Sequence, residues 1–238
     1  MPQPFLSVVI PAFNEEPRIS DTLSQVVEYL TAQDYRWEVV VADDGSQDQT
    51  AQLVDQVTMD YPNVRALRLP HRGKGWAVKK GMLAAQGEYR LLCDADLSVP
   101  IGQVERLLPP LGPGSDIVLG SREAPGAARF GEPARRHLMG RVFNLLVSGL
   151  AVAGLDDTQC GFKCFRGEAA QDLFQRQTMD GFAFDVELLY LARKLGLSFA
   201  EVGVDWYYRS QSKVRPVQDS FSMTLDLFKI RWRHRHLG

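Results

Sequence analysis

Two aspartates one residue apart follow a short apolar run near the middle of the chain. Asp94 and Asp96 stand directly after Leu91, Leu92 and Cys93. Because successive side chains of a strand point to opposite faces, both carboxylates can reach one ion only where the strand has ended and the chain is turning. Mg²⁺ and Mn²⁺ accept such oxygens together with phosphate oxygens. The pattern predicts a metal site that carries phosphate, with a plain turn or helix cap as the alternative.

Polar residues also follow the first two apolar runs of the chain. Asn14 and Glu15 come after the first run, and Asp43 and Asp44 come after the second. Asp43 at a strand tip is able to accept from the imide N–H of uracil or from a ribose hydroxyl, and an acidic turn is the alternative. The first turn lacks the Gly-x-Gly-x-x-Gly pattern, which argues strongly against a nicotinamide dehydrogenase.

A third turn places a lysine between two glycines. Lys74 lies between Gly73 and Gly75, just before a stretch with helical character. Backbone N–H groups at a helix N-terminus attract anions, so this loop is suited to phosphate. It is not a Walker A loop, because the upstream glycine and the following Ser or Thr are missing. His71 has no second histidine at metal-binding spacing and is interpreted as an ordinary loop residue.

The chemistry-bearing residues fall at the ends of strands in an alternating β-α pattern, which is typical of an α/β fold with a doubly wound, mostly parallel sheet and helices on both faces. In such sheets ligands bind at the carboxyl ends of the strands. The predicted strands cover residues 5–10, 37–42, 64–69, 89–93, 117–119 and 199–208. The predicted helices cover residues 18–30, 50–57, 76–85, 104–108, 137–150, 182–195 and 222–236.

Composition restricts the class of protein. The 238 residues carry a net charge of −2, which gives no reason to expect binding to nucleic acid. Three cysteines (Cys93, Cys160 and Cys164) favour buried thiols in a reducing compartment over a disulfide framework. The Gly-, Ala- and Pro-rich segment 123–133 is predicted to be a mobile loop that acts as a lid.

The C-terminal segment differs from the rest in charge. Residues 205–238 contain seven Lys or Arg and three Asp, with apolar residues interleaved from 221 onward. This pattern predicts an amphipathic helix that either lies on an anionic membrane surface or docks on the sheet, and the sequence leaves both open. No signal peptide opens the chain, and the apolar stretch 142–155 falls short of the ~20 residues that span a bilayer. We therefore expect a cytoplasmic protein, peripheral on the cytoplasmic face of a membrane.

Taken in order, these motifs resemble those of a known enzyme family. Residues 8–15, 41–46, 73–75, 94–96 and 120–122 resemble family 2 glycosyltransferases of the GT-A fold. Residues 157–163 (Asp-Thr-Gln-Cys-Gly-Phe-Lys), 182–189 and 212–214 are similar to the dolichyl-phosphate β-glucosyltransferase branch, beside the dolichyl-phosphate mannosyltransferases. The resemblance implies one continuous GT-A domain, with a nucleotide-sugar half at 1–122 and an acceptor half at 123–238.

The resemblance also implies roles for individual residues. The nucleotide would be held by Pro11, Ala12, Asn14, Glu15, Asp43, Asp44, Lys74, Asp94 and Ala95. The metal, Mg²⁺ or Mn²⁺, would be held by Asp94 and Asp96, with Ser98 where the mannosyltransferases often carry Gln. The acceptor phosphate would be bound by Arg122, Lys213 and one or both of Arg135 and Arg136. The catalytic set would be Asp96, Arg122, Asp157 and Lys213.

The implied reaction moves one sugar, with inversion, from a nucleotide diphosphate to a polyprenyl or dolichyl phosphate. UDP-glucose is the favoured donor and GDP-mannose the alternative. A second hypothesis is transfer to a saccharide hydroxyl, for which Asp157 or Asp185 would have to act as the base. A third is a catalytically silent module that binds sugar nucleotide or lipid. Asp185 and Glu187, near a helix start, are also explained by favourable interaction with the helix dipole.

Overall fold

The computed structural model describes residues 3–133, 154–209 and 216–236, with side chains of the last helix described from residue 225. Strands and helices alternate through its first half. The strands are β1 (Leu6–Ala12), β2 (Trp37–Asp43), β3 (Val64–Arg68), β4 (Tyr89–Cys93), β5 (Ile117–Ser121), β6 (Ala128–Phe130), β7 (Phe162–Arg166), β8 (Phe199–Gly203) and β9 (Asp205–Tyr207). The helices are α1 (Ile19–Thr31), α2 (Thr50–Asp60), α3 (Lys74–Ala84), α4 (Gly167–Arg176), α5 (Phe184–Lys194) and α6 (Pro216–Arg233), with a 3₁₀ helix at Ile101–Arg106.

A seven-stranded sheet forms the centre of the described structure, in the order β3-β2-β1-β4-β7-β5-β8. The pairs among β3, β2, β1 and β4 are parallel, as is the pair β5–β8. Only β7 runs against its two neighbours, β4 and β5. This mostly parallel α/β sheet confirms the fold class predicted from the sequence.

The central strands form because their residues are apolar on both faces. Val8, Val9 and Ile10 of β1, for example, are fully buried. Helix α1 covers one face with apolar residues at helical spacing, and α3, α4 and α5 cover the other. The carboxyl ends of β1, β2 and β4 consequently lie side by side, with Ala12 paired to Asp43 in register.

Strand β7 was not among the elements predicted from the sequence, and neither was helix α4. Phe162 and Phe165 of β7 are buried in the core, as are the thiols Cys160 and Cys164, which agrees with their interpretation as core residues. The antiparallel insertion brings the segment that precedes β7 to the carboxyl end of β4. This placement determines much of the site described below.

Two other predictions need correction. The predicted strand 199–208 is two strands, because the chain leaves the main sheet at Val204 and β9 pairs with β6 in a separate two-stranded sheet. The segment 123–133 therefore contains a strand, and Arg129 forms ion pairs with Glu123 and Glu132 there. The predicted lid is thus held by sheet pairing and charge. The predicted helix 137–150 lies outside the described residues.

The small β6–β9 sheet contacts two segments at the carboxyl ends of the main-sheet strands, one after β4 and one after β5. The backbone N–H of Tyr207 donates to the Ser98 carbonyl at 2.7 Å. Arg129 donates from Nε to the Arg122 carbonyl at 3.2 Å. The sheet therefore ties the turn after β4 to the end of β5.

The C-terminal helix α6 begins at Pro216, earlier than the predicted residue 222. Leu227 and Ile230 are buried against the core, and His234 just beyond the helix is buried as well. Phe228 and Trp232 on the other side are 58% and 66% exposed. The helix therefore docks on the protein and also presents an apolar outer face. Among the described residues, no helix has the length and apolar character needed to cross a membrane.

We predict that Gly81→Ala destabilises the protein, because α3 packs directly on the sheet at this glycine. A Cβ there would lie 2.5 Å from Cγ1 of Val9 and 3.2 Å from Cβ of Ala42. Such overpacking lowers the free energy of unfolding by about 1–3 kcal/mol, measured by urea denaturation. Gly102→Ala is the control, since its Cβ meets only the Tyr29 ring at 3.7 Å. Equal stability of the two variants would contradict this account of the packing.

Candidate active site

Asp94 and Asp96 lie in a tight turn at the end of β4. Strand β4 ends at Cys93, and the Leu97 N–H donates to the Asp94 carbonyl at 3.1 Å, which closes the turn. Leu97 has a φ of 45°, and the Ser98 N–H donates to Oδ1 of Asp96 at 2.9 Å. Thr22 of α1 donates to the Ala95 carbonyl at 2.6 Å and fixes the turn to the helix layer. The chain therefore turns directly after β4, as expected from the sequence.

Lys74 lies against this turn. Its Nζ is 2.6 Å from Oδ1 of Asp94, and both side chains remain partly exposed. Burial opposes the charged form of Lys74, but the charges of Asp94, Asp185 and Asp96 outweigh it and raise the pKa of the ammonium. The third turn and the turn after β4 thus form one charged cluster.

Gly161 leaves the space that the Asp94 carboxylate occupies. A Cβ at this position would lie 2.0 Å from Oδ2 of Asp94 and 2.3 Å from its Cγ. The Gly161 carbonyl also accepts from the Asp94 N–H at 3.1 Å. Gly161 belongs to the 157–163 run, so this motif shapes the site by leaving out a side chain.

Asp44 builds the turn that presents Lys74. Its buried carboxylate accepts from the N–H groups of Arg72 and Gly73 at 2.9 and 2.8 Å, and Nδ1 of His71 lies 2.8 Å away. These contacts join the carboxyl end of β2 to the start of α3. The direct contacts of Asp44 are therefore with this turn, and its predicted contact with the nucleotide stays a prediction.

The remaining residues predicted for the nucleotide meet at the ends of β1 and β2. The Asp43 carboxylate accepts from the Ser46 hydroxyl, as in the acidic-turn alternative. Asn14, with a φ of 50°, donates from its N–H to Oγ of Ser46 at 2.8 Å. Glu15 is paired with Arg18 at 2.7 Å. Pro11 and Ala12 form the last residues of β1, and Ala12 is buried.

Arg122 and Asp157 form a two-point ion pair at the end of β5. Nε and Nη2 of Arg122 donate to the Asp157 carboxylate at 2.6 and 2.8 Å, and the Arg122 backbone N–H donates at 2.9 Å. The guanidinium also lies 5.6 Å from the centre of the Trp206 ring. Burial opposes ionisation of Asp157, but the Arg122 charge and hydrogen bonds outweigh it and lower its pKa to about 2. The same pair raises the pKa of Arg122 against the effect of burial.

Lys163 and Asp185 form a second pair beneath the site. Nζ of Lys163, which is 1% exposed, donates to Oδ1 of Asp185 at 2.7 Å and to the Cys160 carbonyl at 2.6 Å. Burial raises the pKa of Asp185 despite the charges of Lys163 and Lys74. The buried Cys160 thiol, whose pKa burial raises to about 12, is influenced by Asp157, Arg122, Lys163 and Asp94. The two pairs therefore flank one compact region next to Asp94.

The structure brings together most of the residues predicted for the site. Asp94, Asp96 and Lys74 form one cluster, and Arg122 with Asp157 forms a neighbouring one. Arg135, Arg136 and Lys213 lie outside the described residues. Ser98 contributes backbone contacts to the turn, through its N–H to Asp96 and its carbonyl to Tyr207.

Sequence reasoning missed three contributors. The Lys163–Asp185 pair was missed because its members are far apart in the chain and β7 was not predicted. Trp206, beneath Arg122, was treated only as part of a strand. Glu187 was interpreted through the helix dipole, yet it is fully buried and binds the backbone of residues 178 and 179. A glutamate within an apolar helical run was the available signal for a buried, paired carboxylate.

Comparison with known proteins identifies the family of this chain. A profile described as Glycosyl transferase family 2 matches residues 7–174. The chain belongs to glycosyl transferase family 2. A relative from Dictyostelium discoideum, named dolichyl-phosphate beta-glucosyltransferase, is 37% identical over 97% of this chain and 75% of its own length. The human protein of that name is 36% identical over 96% of this chain and 75% of its own length.

Solved structures share the fold of this family 2 chain. Glucosyl-3-phosphoglycerate synthase from Mycobacterium tuberculosis, in complex with Mn²⁺, UDP-glucose and phosphoglyceric acid, superposes with a TM-score of 0.67. The superposition covers 97% of this chain and 79% of the synthase chain, at 22% sequence identity. The likeness supports the GT-A fold, and the family membership makes the chain a hexosyltransferase-type enzyme, as predicted.

We predict that Asp157→Asn destabilises the protein at pH 7 by about 3 kcal/mol, because it leaves the Arg122 guanidinium without its counter-charge. A carboxyl with a pKa lowered from 3.8 to about 2 contributes stability above the unfolded-state pKa. That contribution is lost as the pH falls through the folded-state value. The difference from the native chain should therefore shrink by about 1 kcal/mol between pH 7 and pH 3 in urea unfolding.

The control is Asp60→Asn, which changes an exposed carboxylate at the end of α2. It should move the free energy of unfolding by no more than about 0.5 kcal/mol at either pH. An Asp157→Asn difference that stays constant across this range would contradict the charge-pair account.

Proposed function

We propose that this enzyme transfers glucose from UDP-glucose to a dolichyl or polyprenyl phosphate, with inversion at the anomeric carbon. The observation that carries the proposal is that two clusters of charged side chains lie next to each other. The first cluster consists of Asp94, Asp96 and Lys74 and is suited to a metal-bound diphosphate. The second cluster is the Arg122–Asp157 pair, which belongs to the acceptor side of the site. The names of the Dictyostelium and human relatives support glucose and dolichyl phosphate as the groups exchanged.

The donor set is suited to a divalent cation that substrate helps to hold. Oδ1 of Asp94 lies 2.6 Å from the Lys74 ammonium, and the Asp94 side chain remains 30% exposed. No cluster of three or more His, Cys, Asp or Glu side chains suited to a metal occurs in the described residues. Mg²⁺ characteristically binds one or two carboxylates together with substrate phosphates, which corresponds to Asp94 and Asp96. Ser98 as a further ligand stays a prediction.

When bound, Mg²⁺ or Mn²⁺ would neutralise charge that develops on the leaving diphosphate. Lys74 supports the same task, since its ammonium faces the aspartate turn and its loop opens helix α3, where N–H groups favour phosphate. Asp44 keeps that loop in place through the N–H groups of Arg72 and Gly73. The chain thereby keeps the Lys74 loop next to the aspartate turn.

The acceptor phosphate needs cations more than it needs a base. A phosphate monoester has a second pKa near 6, so its oxygen is already a nucleophile at neutral pH. What opposes the reaction is repulsion from the donor diphosphate. Arg122 shares its charge with Asp157, so the pair carries little net charge. We therefore assign to Arg122 only part of acceptor binding, and the larger part to Lys213 and to Arg135 or Arg136, with the choice between the last two open.

The contacts of the candidate bases disfavour transfer to a saccharide hydroxyl. Asp157 is paired with Arg122 and has a pKa of about 2, which makes it a weak proton acceptor. Asp185 is 5% exposed and is paired with Lys163. Neither carboxylate is placed to activate a hydroxyl, which agrees with an acceptor that arrives ionised. The intact Asp94–Asp96 turn likewise disfavours a catalytically silent binding module.

The outer face of α6 gives the lipid acceptor a route to the protein. Leu225, Phe228 and Trp232 are at least half exposed, and Arg231 and Arg235 lie beside them. Aromatic and basic residues on one helix face favour an anionic membrane surface. We propose peripheral attachment to the cytoplasmic face through this surface.

The proposal is tested with purified protein, Mg²⁺ or Mn²⁺, polyprenyl phosphate and radiolabelled nucleotide sugars. We expect label from UDP-glucose to enter the organic phase only when both metal and lipid phosphate are present. Label from GDP-mannose instead would identify the alternative donor. Label that appears only in water-soluble saccharides would overturn the lipid acceptor, and no metal-dependent turnover at all would favour the silent module.

We predict that Asp96→Asn lowers the transfer rate by a factor of about 100 to 1,000, because one anionic ligand near the leaving diphosphate is lost. The measurement is label transfer at saturating UDP-glucose. Asp172→Asn, on the exposed surface of α4, is the matched control and should keep the native rate. Native activity in Asp96→Asn would contradict the assignment of this carboxylate.

We also predict that Gly161→Ala weakens binding of UDP-glucose with Mn²⁺ about tenfold, because a Cβ there displaces the Asp94 carboxylate. Calorimetric titration measures the change, and Gly102→Ala should bind as the native chain does. Unchanged affinity in a folded Gly161→Ala variant would show that the position of Asp94 does not matter for the donor.

A further inference from the structure

Glu187 of α5 is a fully buried carboxylate that joins three parts of the fold. It accepts from the N–H groups of Thr178 and Met179 at 3.0 and 2.8 Å and from the Thr178 hydroxyl at 2.6 Å. Its Oε1 also lies 2.8 Å from Nε2 of His234, just beyond α6. A carboxylate that only favoured the helix dipole would not need this burial, so its contacts call for another explanation.

The segment 177–181, called the strap here, packs on the first turn of α3. The backbone N–H of Trp76 donates to the Asp180 carbonyl at 3.1 Å, and Nε2 of Gln177 donates to the Gly75 carbonyl at 2.8 Å. The packing is close, because a Cβ at Gly75 would lie 2.6 Å from the Met179 carbonyl oxygen. The strap therefore holds the backbone on the C-terminal side of Lys74.

The same strap also holds the N-terminal side of Lys74. Arg72 donates from Nε and Nη2 to Oδ2 of Asp180 at 3.1 and 2.5 Å. A Cβ at Gly73 would lie 2.7 Å from the Asp180 carbonyl oxygen. The backbone around Lys74 is thus fixed by the strap, and Lys74 in turn contacts Asp94.

The C-terminal helix reaches the strap as well as Glu187. Nη1 of Arg233 donates to the Thr178 hydroxyl at 3.0 Å. Leu227 and Ile230 bury the inner face of α6 against the core beside α5. The end of α6 therefore contacts the strap through Arg233 directly and through the His234–Glu187 contact.

We propose that Glu187 is a positioning residue through which the docked C-terminal helix sets the place of Lys74 in the donor site. Contacts run from His234 to Glu187, to the strap, to the first turn of α3, and so to Lys74 and Asp94. Loss of the Glu187 carboxylate removes the acceptor of two strap N–H groups and the contact of His234 with α5. The proposal rests on the proposed function, since it takes Lys74 to hold the nucleotide.

A double-mutant cycle tests the proposal by calorimetric titration of UDP-glucose with Mn²⁺. The variants are Glu187→Gln, Lys74→Met and the two combined. We expect Glu187→Gln to weaken binding about tenfold in the native background, within the range that mutations along coupled networks produce. In the Lys74→Met background the same change should weaken binding by no more than about twofold, because Lys74 is the group through which it acts.

His234→Gln, in the same cycle, serves if Glu187→Gln does not fold. It should give a smaller effect with the same dependence on Lys74. Glu168→Gln, on the exposed start of α4, is the control and should bind as the native chain does. A purely structural role would lower the free energy of unfolding without any dependence on Lys74.

Equal effects of Glu187→Gln in both backgrounds, or none in the folded variant, would overturn this proposal alone, since native binding of UDP-glucose would still stand. A native chain that binds no nucleotide sugar with any metal would overturn the proposed function and this inference together.

Discussion

The position of one carboxylate, that of Asp94, is the constraint on which the rest of the site depends. It lies between the Lys74 ammonium at 2.6 Å and a backbone that has no side chain at Gly161. Strand β4 ends one residue before Asp94, and the closed turn that follows places Asp96 near Asp94. An anionic group so placed is stable because a cation faces it, and it remains accessible because both side chains are partly exposed.

The antiparallel strand β7 explains how distant parts of the chain meet at this carboxylate. By entering between β4 and β5 it carries the 157–163 run along the carboxyl ends of both strands. Asp157 then binds Arg122, Gly161 adjoins Asp94, and Lys163 binds Asp185. The run therefore supplies one partner to each of two buried ion pairs and, at Gly161, leaves space for the Asp94 carboxylate.

Local pattern predicts the first half of the fold and the helix 184–194, but it misses β7 and α4. The strands around Val8 and Val40 and the helix from Ile19 were predicted because apolar periodicity decides them. Strand β7 was missed because Phe162 and Phe165 stand in a short run beside a cysteine and a lysine, and only pairing on both edges makes it a strand. The placement of Asp94 at the carboxyl edge of the sheet followed from the alternating pattern, whereas the link from Glu187 to His234 joins residues whose proximity no local pattern encodes.

The small β6–β9 sheet has a mechanical consequence for the enzyme. Its two anchors, from Tyr207 to the Ser98 carbonyl and from Arg129 to the Arg122 carbonyl, hold the turn after β4 and the end of β5. Any displacement of this ribbon as a unit would pull on both segments at once. The turn that carries Asp96 and the strand end that carries Arg122 are therefore mechanically coupled through the ribbon.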